Sequence, residues 1–176
     1  MGRLLALAAA LLATACAAPE LAPPAGPAEF EIAARIAVRY GGEALTANLA
    51  WRHGAAADDL LITSPLGQGI ARIARREGET TLSTPEPREY RAADPEALTE
   101  QVLGFRLPLA GLADWVRARA APGPSRARRD TAGRLAELEQ SGWRIEYLEY
   151  DAAARPARLR LSYPGVELRL AIASWK

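Results

Sequence analysis

The segment RIAVRYGGEALTANLAW, running from Arg35 to Trp51, decides the fold. Ile36 and Val38 alternate with Arg35, Ala37 and Arg39, and Leu45, Ala47, Leu49 and Trp51 alternate in the second half. A period of two places one set of side chains on each face of a strand. Gly41-Gly42 stands between the halves and supplies the positive φ angles that a two-residue hairpin needs. The segment therefore predicts a half-buried antiparallel hairpin.

Working downstream, Leu60 to Thr63 and Gly69 to Arg76 read as two more strands, joined by Ser64-Pro65-Leu66-Gly67-Gln68. A short strand follows near Thr80 to Ser83. The spacing then becomes helical. Asp94-Pro95 offers a capping side chain followed by proline at the first helical position, with Leu98 and Val102 on one face and Gly104 as the stop. A second helix is predicted after Pro108, with Leu109, Leu112, Trp115 and Val116 on one face. Pro122 to Asp130 reads as a loop, and Arg126, Arg128 and Arg129 as its solvated basic cluster. Alternation resumes at Trp143, Ile145 and Tyr147, at Leu159 and Leu161, and at Leu168, Leu170 and Ile172 after the turn at Pro164-Gly165. Strands, then helices, then strands predict a mostly antiparallel sheet with helices on one face.

Upstream, residues 1–15 have the layout of a removable signal peptide: Arg3, an unbroken Leu/Ala run from Leu4 to Ala13, then small residues. That run is too short for a membrane-spanning helix. Leu12-Ala13-Thr14-Ala15-Cys16 resembles a lipobox, which would make Cys16 the acylated first residue of a mature bacterial lipoprotein. Ordinary cleavage after Ala13-Thr14-Ala15 is the alternative. With Ala17 rather than Asp next to the cysteine, the resemblance points to the outer membrane. Residues 16–30 read as the lipidated cysteine and an Ala/Pro-rich tether, and residues 31–176 as one domain.

Composition works by exclusion. A chain of 176 residues with 49% hydrophobic content can bury a core without staples, and a net charge of +1 argues against nucleic-acid binding. One cysteine and one histidine leave no intramolecular disulfide and no multi-histidine metal site. No nucleophile elbow, phosphate loop or zinc-protease motif occurs. His53 reads as a solvated turn residue, and Asp58-Asp59 as a solvated pair at a strand edge. No enzyme activity and no cofactor are expected.

The residues resemble those of the outer-membrane lipoprotein receptor family LolB. The match runs in order from Arg35-Ile36-Ala37-Val38 through Trp51 and Ser64-Pro65-Leu66-Gly67-Gln68. It continues through Leu103-Gly104, Leu107-Pro108, Leu112 and Trp115, then Gly142-Trp143-Arg144-Ile145, Tyr147, Tyr150, Pro156, Glu167 to Ile172, and Trp175. Ala34 and Ala118 stand where glycine is expected. The resemblance implies an open, unclosed β-barrel covered by a few helices, with an apolar cavity between. It implies a monomer, lipid-anchored to the outer membrane and facing the periplasm. Such a protein accepts acylated lipoproteins from the periplasmic carrier LolA and releases them into the membrane's inner leaflet without nucleotide. Its partners are that carrier, the cargo's acyl chains and outer-membrane lipid.

Trp51, Leu112, Trp115, Trp143, Tyr147 and Leu170 are cavity candidates by type and period, although an ordinary core role needs the same inward face. In the family the loop leucine protrudes and helps place cargo in the membrane, which assigns that role to Leu66, flanked by Pro65 and Gly67. Two other readings stand beside this one. A structural or assembly lipoprotein that binds a protein partner would have a dry core, and a fluorescent fatty-acid binding assay separates it. A hydrolase built on the single histidine would lose activity on His53→Ala.

Overall fold

A computed structural model describes residues 26–85, 89–92, 95–103, 106, 107 and 109–176. Six strands come first: β1 (Phe30–Tyr40), β2 (Glu43–His53), β3 (Ala57–Thr63), β4 (Gly69–Arg76), β5 (Glu79–Ser83) and β6 (Glu89–Ala92). Two helices follow, α1 (Pro95–Leu103) and α2 (Leu109–Trp115). Five strands complete the chain: β7 (Ser125–Arg129), β8 (Leu135–Gln140), β9 (Trp143–Tyr150), β10 (Pro156–Tyr163) and β11 (Val166–Trp175).

All eleven strands form one antiparallel sheet in the order β6-β5-β4-β3-β2-β1-β11-β10-β9-β8-β7. It consists of two meanders joined where β1 pairs β11, and it does not close: β6 and β7 are its opposite edges. That topology places the cover. The chain passes from edge strand β6 to edge strand β7 through the helical segment, whose described apolar residues pack against the sheet. Leu98, Leu107, Leu112, Trp115 and Val116 are all buried there in the common core.

The hairpin forms as its sequence predicts. Tyr40 pairs Glu43 across Gly41 and Gly42, whose φ angles of 60° and 85° are those of a type I′ turn. Phe30, Ile32, Ala34 and Ile36 of β1 and Ala47, Leu49 and Trp51 of β2 are buried, while Leu45, in the same phase, lies beyond the core and is half-exposed. Three strands escape sequence reading: β6, β7 and β8. The basic cluster is not a loop, since Arg126, Arg128 and Arg129 belong to β7, which pairs β8. Every residue of β7 is exposed, so an edge strand wet on both faces needs no apolar alternation. β8 departs from strict alternation, with Leu135, Leu138 and Gln140 buried. Asp94, Gly104 and Pro108, expected at helix boundaries, lie outside the described residues.

Candidate functional site

Inward-facing residues of β1–β6 line up in two rows across the strands. Ile32, Trp51, Leu60, Ile73, Leu82 and Tyr90 are direct cross-strand neighbours in succession, giving an apolar row. Two residues further along each strand lies a second row, Phe30, His53, Asp58, Arg75 and Thr80, which is polar from His53 onward. A cavity of about 290 Å³ opens against both rows and under α2, lined by Trp51, Leu60 and Ile73, by His53, Asp58, Arg75 and Thr80, and by Leu109 and Ala113. Its volume stands at the lower end of the range for small-ligand pockets, roughly 300–1,000 Å³.

The polar row is cross-linked. His53 Nδ1 lies 2.5 Å from Asp58 Oδ1, the Trp51 indole N–H donates to the same oxygen at 3.0 Å, and Arg75 Nε donates to Asp58 Oδ2 at 2.6 Å. Arg75 Nη2 also donates to the Gly54 carbonyl at 3.2 Å. Burial alone would raise the Asp58 carboxyl, but hydrogen bonds from His53 and Trp51, with the fields of His53 and Arg75, hold it below its ordinary value. His53 is thus not a solvated turn residue. Its side chain is 11% exposed, stacked on Phe30 at 4.8 Å, because β2 continues far enough to place it in the inward phase of Trp51. Nor is Asp58-Asp59 a solvated edge pair, since β3 is an interior strand. Asp59 faces outward yet is buried beneath Arg72 and Arg76, which donate to it at 2.6 and 3.3 Å.

The six cavity candidates separate. Trp51 lines the cavity, whereas Leu112, Trp115, Trp143, Tyr147 and Leu170 are buried in the core and are not among the residues lining it. Trp115 is locked in place: its indole N–H donates to Gln140 Oε1 at 2.8 Å, and Tyr147 OH donates to its carbonyl at 2.9 Å. Burial pushes the Tyr147 phenol well above its ordinary value. Gln140 is in turn held by the backbone N–H and C=O of Ala121. Trp143 lies 6.4 Å from Trp115, ring to ring, and 5.3 Å from Tyr163. Leu60, Ile73, Thr80, Leu109, Ala113 and the His53–Asp58–Arg75 row were missed in the sequence. Extending the register from the Trp51 hairpin would have found Leu60 and Ile73; charged residues in the inward phase hide the polar row, and strand register says nothing of Leu109 and Ala113 on α2.

Leu66 is 91% exposed. The loop beneath it is braced: Ser64 N–H donates to the Gln68 carbonyl, Gly67 N–H to the Ser64 carbonyl, and Asn48 Nδ2 to the same Ser64 carbonyl. Gly67 has φ 87°, which a side-chain-bearing residue rarely adopts. The loop joins the ends of β3 and β4 remote from Asp58, and none of Pro65, Leu66 and Gly67 lines the cavity. Cys16 lies outside the described residues, none of whose helices is long and apolar enough to cross a membrane.

An open antiparallel half-barrel with a helical cover is the class this geometry defines. It is shared by a LolA superfamily protein from Nitrosomonas europaea, with a TM-score of 0.52 at 13% identity over 84% of both chains. A DUF1329 family protein from Desulfovibrio piger superposes with a TM-score of 0.53 at 9% identity, again over 84% of each chain. At such identities the likeness concerns the fold alone. Sequence relatives are more specific. The chain is 41% identical to the outer-membrane lipoprotein LolB of Thiobacillus denitrificans, over 93% of this chain and 89% of the relative. It is 35% identical to that of Chromobacterium violaceum, over 99% and 98%. The family model for outer membrane lipoprotein LolB matches residues 28–175, and the chain belongs to that family, whose members are lipoproteins of the outer membrane.

Proposed function

We propose that this chain is a receptor that takes acylated lipoproteins from a LolA-type periplasmic carrier and inserts them into the inner leaflet of the outer membrane. The cavity between β2–β5 and α2 carries the reading, because acyl chains in water cost roughly 25 cal/mol per Å² of apolar surface and a covered apolar row removes that cost. The site needs no nucleotide and performs no catalysis. Transfer then runs downhill: the receptor holds acyl chains more tightly than the carrier and less tightly than a bilayer.

Cys16 is the anchor and Leu66 the insertion residue in this reading. The tether enters β1 at the end of the sheet opposite the Leu66 loop. Covalent geometry limits the 14 residues from Cys16 up to Phe30 to about 45–50 Å. The 11 residues of β1 span about 36 Å, so the anchor and the loop end can meet one membrane surface together. Leu66→Glu leaves folding and cargo uptake intact, because a side chain 91% exposed supports no packing. It blocks release into liposomes that contain no protein. Normal delivery by this variant would refute the loop's role.

A further inference from the structure

Thr80 is 1% exposed, and its hydroxyl is the only buried side-chain hydroxyl without a hydrogen-bond partner among the described residues. It lines the cavity, directly opposite Arg75 across β4 and β5. A hydroxyl that has lost water and gained no protein partner is an open position for a ligand atom. The neighbouring charges narrow the chemistry. Arg75 is already bonded to Asp58 through Nε, and its Nη2 to the Gly54 carbonyl, while Asp58 is further occupied by His53 and Trp51. The polar row therefore offers Thr80 beside a compensated ion pair, an environment suited to a neutral dipole rather than to an anion.

Building on the acyl-carrier reading, we propose that Thr80 recognises the neutral carbonyl linking an acyl chain to its carrier group, an ester or an amide. The hydroxyl donates to the carbonyl oxygen, and the hydrocarbon behind it lies along the apolar row of Trp51, Leu60 and Ile73. The cavity is thus a two-part site, with a polar seat for the linkage and an apolar bed for the chain. Thr80 is a binding residue for cargo lipid, and its position sets how deeply a chain can enter. A free fatty acid, whose carboxylate finds no uncompensated cation on this row, binds less well than the corresponding ester.

The test compares a monoacylglycerol with the alkyl glycerol ether of the same chain length, which differs by the carbonyl. Binding to the full chain is measured by displacement of a fluorescent fatty-acid probe. The wild type is expected to bind the ester about tenfold more tightly, the scale of one hydrogen bond inside a protein. Thr80→Val, which keeps the shape, abolishes that preference and raises the melting temperature. Thr80→Ser retains the preference. Equal binding of ester and ether by the wild type, or a preference unchanged in Thr80→Val, overturns this assignment while leaving the acyl cavity standing. Binding of neither lipid overturns both.

Discussion

The two halves of the sheet share one helical cover, yet the cavity beneath α2 opens on one half alone, which is hollow under the helix where the other is filled. Over β8–β10 the concave side is occupied by Trp115, Trp143, Tyr147, Leu159 and Leu161, tied by the Gln140 and Tyr147 hydrogen bonds. Over β2–β5, among the described residues, the cover presents Leu109 and Ala113 to the cavity. Helix α2 and the turn after it supply both: Leu109 and Ala113 line the cavity, while Leu112, Trp115 and Val116 are buried in the core. A single seven-residue helix thus wedges one half shut with an indole and roofs the other with Leu109 and the methyl group of Ala113. Its buried hydrogen bonds make the filled half the expected frame for the hollow one.

Removing the wedge should have the largest effect. Trp115→Ala empties a fully buried indole site and removes one of the three hydrogen bonds of Gln140, and it should cost about 3–5 kcal/mol in urea unfolding. A loss below 1 kcal/mol would mean that the filled half is not the frame. Filling the hollow half comes next. Ala113→Leu puts three more carbons into the cavity, and acyl-probe affinity should fall about tenfold, or roughly 1.4 kcal/mol, with stability almost unchanged. If stability instead falls by the 1–3 kcal/mol typical of overpacking, the space is smaller than the geometry indicates. The smallest effect belongs to the end of the wedge. Ala118, where the family resemblance expects glycine, adopts φ 55° just beyond α2. Left-handed backbone costs a residue with a Cβ about 1–2 kcal/mol, so Ala118→Gly should stabilise the protein by somewhat less than that. A destabilised variant would contradict the strain.

The same contrast explains what the sequence could disclose. The β1–β2 hairpin was legible because one face is buried and the other wet, so alternation and Gly41-Gly42 agree. The edge strand β7 was not, since a strand exposed on both faces carries no periodic signal. The aromatic candidates were legible as inward-facing residues. Their division between core and cavity was not, because it depends on how α2 sits across two half-sheets that are distant in sequence. The polar row escaped for a related reason. His53, Asp58 and Arg75 look like surface residues until the register stacks them side by side.

Cargo acyl chains are proposed to occupy the hollow half. A lipopeptide with a photoactivatable group at the end of its acyl chain, irradiated on the protein and mapped by mass spectrometry, tests it directly. Adducts are expected on β2–β5 and α2, at Trp51, Leu60, Ile73 and Leu109. Adducts confined to β8–β10 or to the convex face would contradict it.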